Sequence, residues 1–313
     1  MAHEDNKADL ADFLSNQLIM SSQTTLSNVT VVVGGGFHGE FNSQSSSGNV
    51  DHLCTDQEEA DTRMIVHAKD AQNTGCLRLK VVCRDTDVLL LLVYHIGDEI
   101  ECWMVSGSGR NRRCYPIHIT SKTLDHDVKS SILGFHALTG CDTTSSFFGI
   151  GKKSCWKQYC ANPTLLQGIG SDGELASIEQ FLCGLYGCSP ESHNTGVNTC
   201  RYRLFLKARK SLEQLPPTAD ALQLHVKRAN YQAKFWVKAA NSEFKATDPI
   251  VTGGWSIKDG VTSPVWMHNP SVPQACMQIV SCGYKKSAAQ RDASAINQIS
   301  LAFSSVGAMQ SIV

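Results

Sequence analysis

The chain has 313 residues, 42% of them hydrophobic and 18% charged, with a formal net charge of −1. This is enough for one large domain or two small ones with a sizeable core, and the balanced charge rules out a polycation. The longest apolar runs, 29–33 and 88–93, fall far short of the roughly 20 residues that cross a bilayer, and Glu4, Asp5 and Asp9 stand where a secretory leader would be basic and then apolar. A nuclear or cytoplasmic protein is therefore expected, rather than a membrane, secreted or disordered one.

Leu10, Phe13, Leu14 and Leu18 recur at helical spacing, so residues 6–18 read as an amphipathic helix. Residues 29–33 read as a β-branched strand ending in Gly34-Gly35-Gly36, and the Ser/Gly-rich stretch 42–51 as a loop. A helix follows over 57–72, with Ala60, Met64, Ile65 and Ala68 on one face. The apolar strand 79–83 runs into Arg84-Asp85-Thr86-Asp87, and 88–95 begins a helix or a second buried segment. Residues 100–106 and 114–119 read as strands around the turn Gly107-Ser-Gly-Arg-Asn, and 129–139 as an apolar helix. The turn-rich 141–151 then leads to a helix over 152–160. Strands alternating with helices favour an α/β fold with a parallel or mixed sheet.

The thirteen cysteines are scattered with no CxxC pair, which speaks against a disulfide framework and for mostly buried free thiols. Charge is unevenly placed. Residues 1–150 hold 11 Lys+Arg against 19 Asp+Glu, and residues 201–245 hold 10 against 3. The acidic half is compatible with solvated faces or with a carboxylate-rich metal site, and the basic stretch with a solvated face or a polyanion surface.

In α/β sheets, ligands sit beyond the carboxyl ends of strands, and Asp85 and Asp87 stand there. An Asp-x-Asp right after a buried strand is costly unless neutralised, and hard oxygen ligands suit Mg²⁺ or Mn²⁺. The alternative is an N-cap for the next helix. Glu58, Glu59 and Asp61 open a helix, where the dipole alone would also favour them. Asp142 follows an apolar helix at Gly140-Cys141-Asp142, where it could equally cap a turn. Carboxylates from separate strand and helix ends fit a two-metal phosphodiester site. Gly149-Ile150-Gly151-Lys152 before a helix offers backbone amides to a phosphate without the spacing of a Walker loop.

The order Glu59-Ala60-Asp61, Asp85-Thr86-Asp87, Gly140-Cys141-Asp142 and Gly149-Ile-Gly-Lys152 resembles the flap endonuclease and XPG-type nucleases of the PIN-like fold, over roughly residues 54–165. The resemblance implies a PIN-like α/β core with a helix–two-turn–helix over 132–160. It implies Glu59, Asp61, Asp85, Asp87 and Asp142 as ligands of Mg²⁺ or Mn²⁺, with Asp85, Asp87 and Asp142 central to catalysis. Gly149, Gly151, Lys152 and Lys153 would hold DNA phosphates, with K⁺ at the helix–two-turn–helix. EADTRMIVHA, DTDVLLLLVYH, LTGCDTTSSFFGIGKKSCW and RANYQAKFW resemble more closely a group of uncharacterised, transposon-related invertebrate proteins that join this core to a tesmin-type CXC zinc tail.

Two departures stand out. In the nuclease family the first strand ends in an Asp, and a helix bearing Lys and Arg follows; residues 1–53 match neither. In the tail, Tyr284 and later residues replace the CXC cysteines. Cys276 and Cys282 cannot supply the four ligands of a structural zinc site, so no zinc and a disordered 285–313, or else a helix over 288–303, are expected.

Arg201, Arg203 and Lys207 head a basic stretch with Tyr202, Phe205, Tyr231, Phe235 and Trp236 interleaved. The basic residues read evenly as phosphate contacts or a solvated face, the aromatics more readily as core. His67 and His95 read as interior, and neither a serine hydrolase nor a dinucleotide motif is present. The expected organisation is an N-terminal helix and strand over 1–53, a nuclease core over 54–165, a basic helical extension over 166–250 and a Trp/Pro segment with the tail over 251–313. The expected function is a metal-dependent endonuclease acting on single-stranded or branched DNA. The alternatives are an inactive nucleic-acid-binding relic of a mobile element and a PIN-like protein-interaction domain.

Overall fold

The computed structural model describes residues 4–25, 28–37, 42–171, 175–188, 196–208, 211–245, 248, 250 and 253–267. The chain divides into two units, Met1–Val265 and Trp266–Val313, and all the elements described lie in the first. The architecture is mixed α/β.

The central sheet has three strands, β3 (Arg78–Val82), β4 (Glu101–Ser106) and β5 (Arg113–Pro116). β3 and β4 run parallel through the crossover helix α3 (Thr86–His95), and β5 returns antiparallel to β4. The register pairs Leu79 with Cys102 and Val81 with Met104, and these four belong to the core or pack against it. Arg78, Lys80 and Val82 point the other way and are exposed, so the period-two alternation of β3 places one face on the helices and one towards solvent. β5 ends at Pro116, which has no N–H to continue the ladder. Residues 117–119, expected as strand, therefore open the helix α4 (Ile117–Thr123).

The helix α5 (His126–Thr139) is buried nearly all round, from Val128 to Thr139. An apolar helix of this kind is stable only when neighbours cover every side. α9 (Ala219–Val237) covers one side with Leu222, Val226, Ala229, Ala233 and Trp236, a stripe at helical spacing. One continuous core runs from Ile65 in α2 (Ala60–Asn73) through α3 and α5 to Ala239, taking in Tyr159 of α6 (Lys152–Ala161) and Phe181 of α7 (Leu175–Leu185).

The expected helix at the start is α1 (Glu4–Thr25), but its apolar stripe faces outward: Phe13, Leu14 and Leu18 are each at least half exposed. Its opposite side meets a hairpin of β1 (Val32–Gly34) and β2 (Ser43–Ser45). β2 lies inside the stretch expected as a loop. Its serines pair with β1, and Ser46 Oγ accepts from Val31 N–H at 2.9 Å, so polar side chains finish a ladder that has little apolar content. The glycine run serves close approach. Gly36 has φ +83°, and a Cβ there would stand 2.4 Å from Ser15 Oγ and 2.9 Å from the Ala11 carbonyl oxygen.

The thiol expectation needs correction. Cys188 is bonded to Cys200 of α8 (Gly196–Ala208), with Cα atoms 6.2 Å apart, a separation that suits a bridge. Of the free cysteines described, only Cys102, Cys155 and Cys183 are buried. Cys276, Cys282 and the expected disordered or helical tail lie outside the described residues.

Candidate metal centre

Three chain segments converge at one end of the sheet. Glu59 is the N-cap of α2 without a side-chain capping bond, and Asp61 lies in that helix's first turn. β3 delivers Asp85 and Asp87 to the start of α3. α5 ends at Gly140, whose φ of +109° turns the chain into the Cys141–Thr144 bridge that carries Asp142. A Cβ at Gly140 would stand 3.0 Å from the Ser146 Cα, so the turn needs both the glycine's open conformation and its lack of a side chain.

One oxygen from each of Asp61, Asp85 and Asp87 lies within 4.8 Å of the others. Oxygens around a Mg²⁺ at its ordinary bond length are about 3 Å apart when adjacent and about 4.2 Å when opposite, so this trio would close on one ion with shifts of about 1 Å. Glu59, Ala60, Asp61, Asp87, Asp142, Thr143, Gln232 and Trp236 line a cleft of about 230 Å³ beside the trio. Asp85 also caps α3, its Oδ1 accepting from the Asp87 N–H at 2.9 Å. The cap leaves the second oxygen of this carboxylate available to a cation.

The negative charges are crowded. Burial, then Asp85, Asp87 and Asp142, push the pKa of Asp61 up to about 6. Burial, then Asp61, Asp87, Asp142 and Asp85, raise Glu59 as well. Such crowding is unfavourable without a cation and is the ordinary electrostatics of a divalent-metal site. The donor set is all carboxylate oxygen, which suits Mg²⁺ or Mn²⁺ rather than a thiophilic metal.

The remaining expected site residues fall in different places. Gly149 and Gly151 lie in the exposed turn before α6, with Gly151 as its N-cap, and Lys153 is exposed in its first turn. Lys152 turns back: its Nζ donates to the Gly140 carbonyl. Partial desolvation lowers its pKa, opposed by Cys141 and Asp87, although the residue as a whole is exposed and does not line the cleft. Arg201, Arg203 and Lys207 lie on α8, and none of them lines the cleft. Arg201 donates to the Pro216 carbonyl and is partly buried. Among the aromatics, Trp236 is core, while Tyr202, Phe205, Tyr231 and Phe235 are half-buried.

Three residues around the carboxylates were given no role beside them by sequence reasoning, though Trp236 was read as a core or stacking aromatic. His136, near the end of α5, holds Asp87, with Nε2 and Oδ1 2.7 Å apart. Gln232 on α9 accepts from the Thr143 hydroxyl at 2.8 Å, and Trp236 walls the cleft while stacking on His136. The one legible signal was a histidine inside an otherwise apolar helix six residues before Asp142.

No helix among the described residues is long and apolar enough to cross a membrane. Comparison with protein-family models, with curated proteins and with solved structures found no match.

Proposed function

We propose that the chain is a divalent-metal-dependent phosphodiesterase acting on DNA, with a PIN-like core of the flap-endonuclease type. The observation that carries this reading is the trio Asp61, Asp85 and Asp87, drawn from two separate helix starts to within 4.8 Å and left mutually repelling. In this reading the trio holds Mg²⁺ or Mn²⁺, and Asp142 and Glu59 extend the ligand set along the cleft towards a second ion. A bound ion of this kind stabilises charge on a phosphodiester and makes water a better nucleophile. The protein's own part is positioning. Trp236 closes one wall against water, Lys152 brings a positive charge to the end of α5 beside Asp142, and the exposed turn would offer the Gly149 and Gly151 amides to a DNA phosphate, the Ile150 N–H being bonded to the Phe147 carbonyl, with K⁺ as an auxiliary ion. A DNA substrate carries a nuclear location with it.

A second reading, an inactive nucleic-acid-binding relic of a mobile element, is favoured by one observation. No carboxylate from the described residues before Glu59 lines the cleft, and β1 pairs only with β2, outside the central sheet. Cleavage of labelled single-stranded, duplex and flap DNA in Mn²⁺ separates the two, with binding recorded on the same samples. If the chain is a nuclease, Asp85→Ala and Asp142→Ala each lower cleavage by about 10³-fold or more while binding persists. Binding without cleavage by the wild type supports the relic. Neither binding nor cleavage sinks both.

A further inference from the structure

We infer that His136 is a positioning residue for Asp87, fixing which carboxylate oxygen is turned to the cleft; the inference rests on the metal reading of that cleft. A carboxylate oxygen only accepts, so His136 Nε2 donates to Asp87 Oδ1 at 2.7 Å. Both side chains are largely buried, 4% and 13% exposed, so water competes little for this bond. With Oδ1 taken by the imidazole, Oδ2 is left for a cation, and Asp87 serves as a one-oxygen ligand in a set orientation.

The rest of the imidazole has no polar task. Nδ1 is buried without a hydrogen-bond partner among the described residues. The ring stacks on Trp236 with centroids 5.4 Å apart and planes 22° from parallel. Trp236 is itself pinned, its carbonyl paired with His95 Nε2 at 2.8 Å. A histidine kept only for packing would be expected to satisfy both nitrogens or give way to an apolar residue, because an orphaned buried polar atom is destabilising. Here one nitrogen is left unsatisfied while the other is aimed at a candidate ligand. Outer-shell partners of this kind orient metal ligands and raise affinity, and their loss costs roughly 10–100-fold.

The test is Mn²⁺ binding to the full chain, followed by calorimetry and by the electron-spin signal of free Mn²⁺, well below the melting temperature. The variants are His136→Ala, His136→Asn, His136→Gln and Ile132→Ala. Glutamine can place an amide N–H near the Nε2 position, whereas asparagine reaches only the Nδ1 position. The expected result is a roughly 10–100-fold loss of affinity for Ala and Asn and a loss under about threefold for Gln. Ile132→Ala, on the same helix and buried, is expected to lower the melting temperature and leave affinity unchanged. Adding His136→Ala to Asp87→Asn is expected to cost no further affinity, since the histidine acts through that carboxylate. If the wild type binds Mn²⁺, Asp85→Asn weakens binding and His136→Ala matches the wild type, the positioning role is wrong and the metal site stands. Equal losses for Gln and Ala, or a matching loss for Ile132→Ala, reduce His136 to packing. No Mn²⁺ binding by the wild type overturns both the site and this inference.

Discussion

Asp61 sits where burial and three neighbouring carboxylates act together, and its pKa of about 6 against an ordinary 3.8 has a definite sign. Between these values the folded protein holds a proton that the unfolded chain releases. Without a cation, stability therefore falls as pH rises through about 3.8 to about 6, and the full cost remains above about 6. Asp61→Asn removes that cost. The full shift corresponds to about 3 kcal/mol, but Asp61 is only partly buried, and solvent screening cuts this to roughly 1 kcal/mol, or ~2–4 °C. The asparagine variant is expected to melt higher than the wild type near pH 7.5 and at the same temperature near pH 4, as read by thermal denaturation in chelator. Mn²⁺ is expected to reverse the order at pH 7.5, because only the wild type regains stability by binding it. In the proposed metal site proton and cation would compete for the same oxygens, so Mn²⁺ affinity is expected to climb as pH rises through about 6.

At the scale of elements, two glycines hold the ends that carry the argument. Gly36 lets the hairpin approach α1, and Gly36→Ala would drive a methyl into the Ala11 carbonyl at positive φ. The expected cost is about 1–3 kcal/mol in urea denaturation, with faster proteolysis of α1. Gly140→Ala strains the turn that carries Asp142, so a drop in Mn²⁺ affinity is expected along with a loss of stability. By contrast, Leu14→Ser on the exposed stripe of α1 is expected to change stability by no more than ~0.5 kcal/mol. The stripe was legible as helical periodicity, but its orientation was not. Periodicity reports that a helix has an apolar side, and only its neighbours decide whether that side is covered. The same limit applied to β2, whose Ser-rich segment has no strand pattern of its own and pairs because β1 lies beside it.

For the molecule as a whole, α9 decides more than its late position in the chain suggests. It shields α5, contributes Gln232 and Trp236 to the cleft, and donates from His225 Nε2 to the Leu138 carbonyl of α5 at 2.8 Å. A chain ending at residue 165 would expose the buried side of α5 and lose the Trp236 wall. It is expected to lack a cooperative melting transition and to bind an apolar dye, while Trp236→Ala in the full chain is expected to cost about 3–5 kcal/mol. Local pattern sufficed for α2, β3, α5 and α6 within a few residues, because their periods and boundary residues are contained in the elements themselves, whereas the uniformly apolar 88–93 run left α3 open between a helix and another buried segment. It also placed Glu59, Asp61, Asp85, Asp87 and Asp142 at element ends, where charge is tolerated. The tertiary structure alone brought three of those carboxylates within 4.8 Å, chose His136 from 49 residues away to hold one of them, and set Trp236 beside it. Element type follows from short-range periodicity and capping, whereas these contacts depend on how the whole core packs, and no local spacing encodes that.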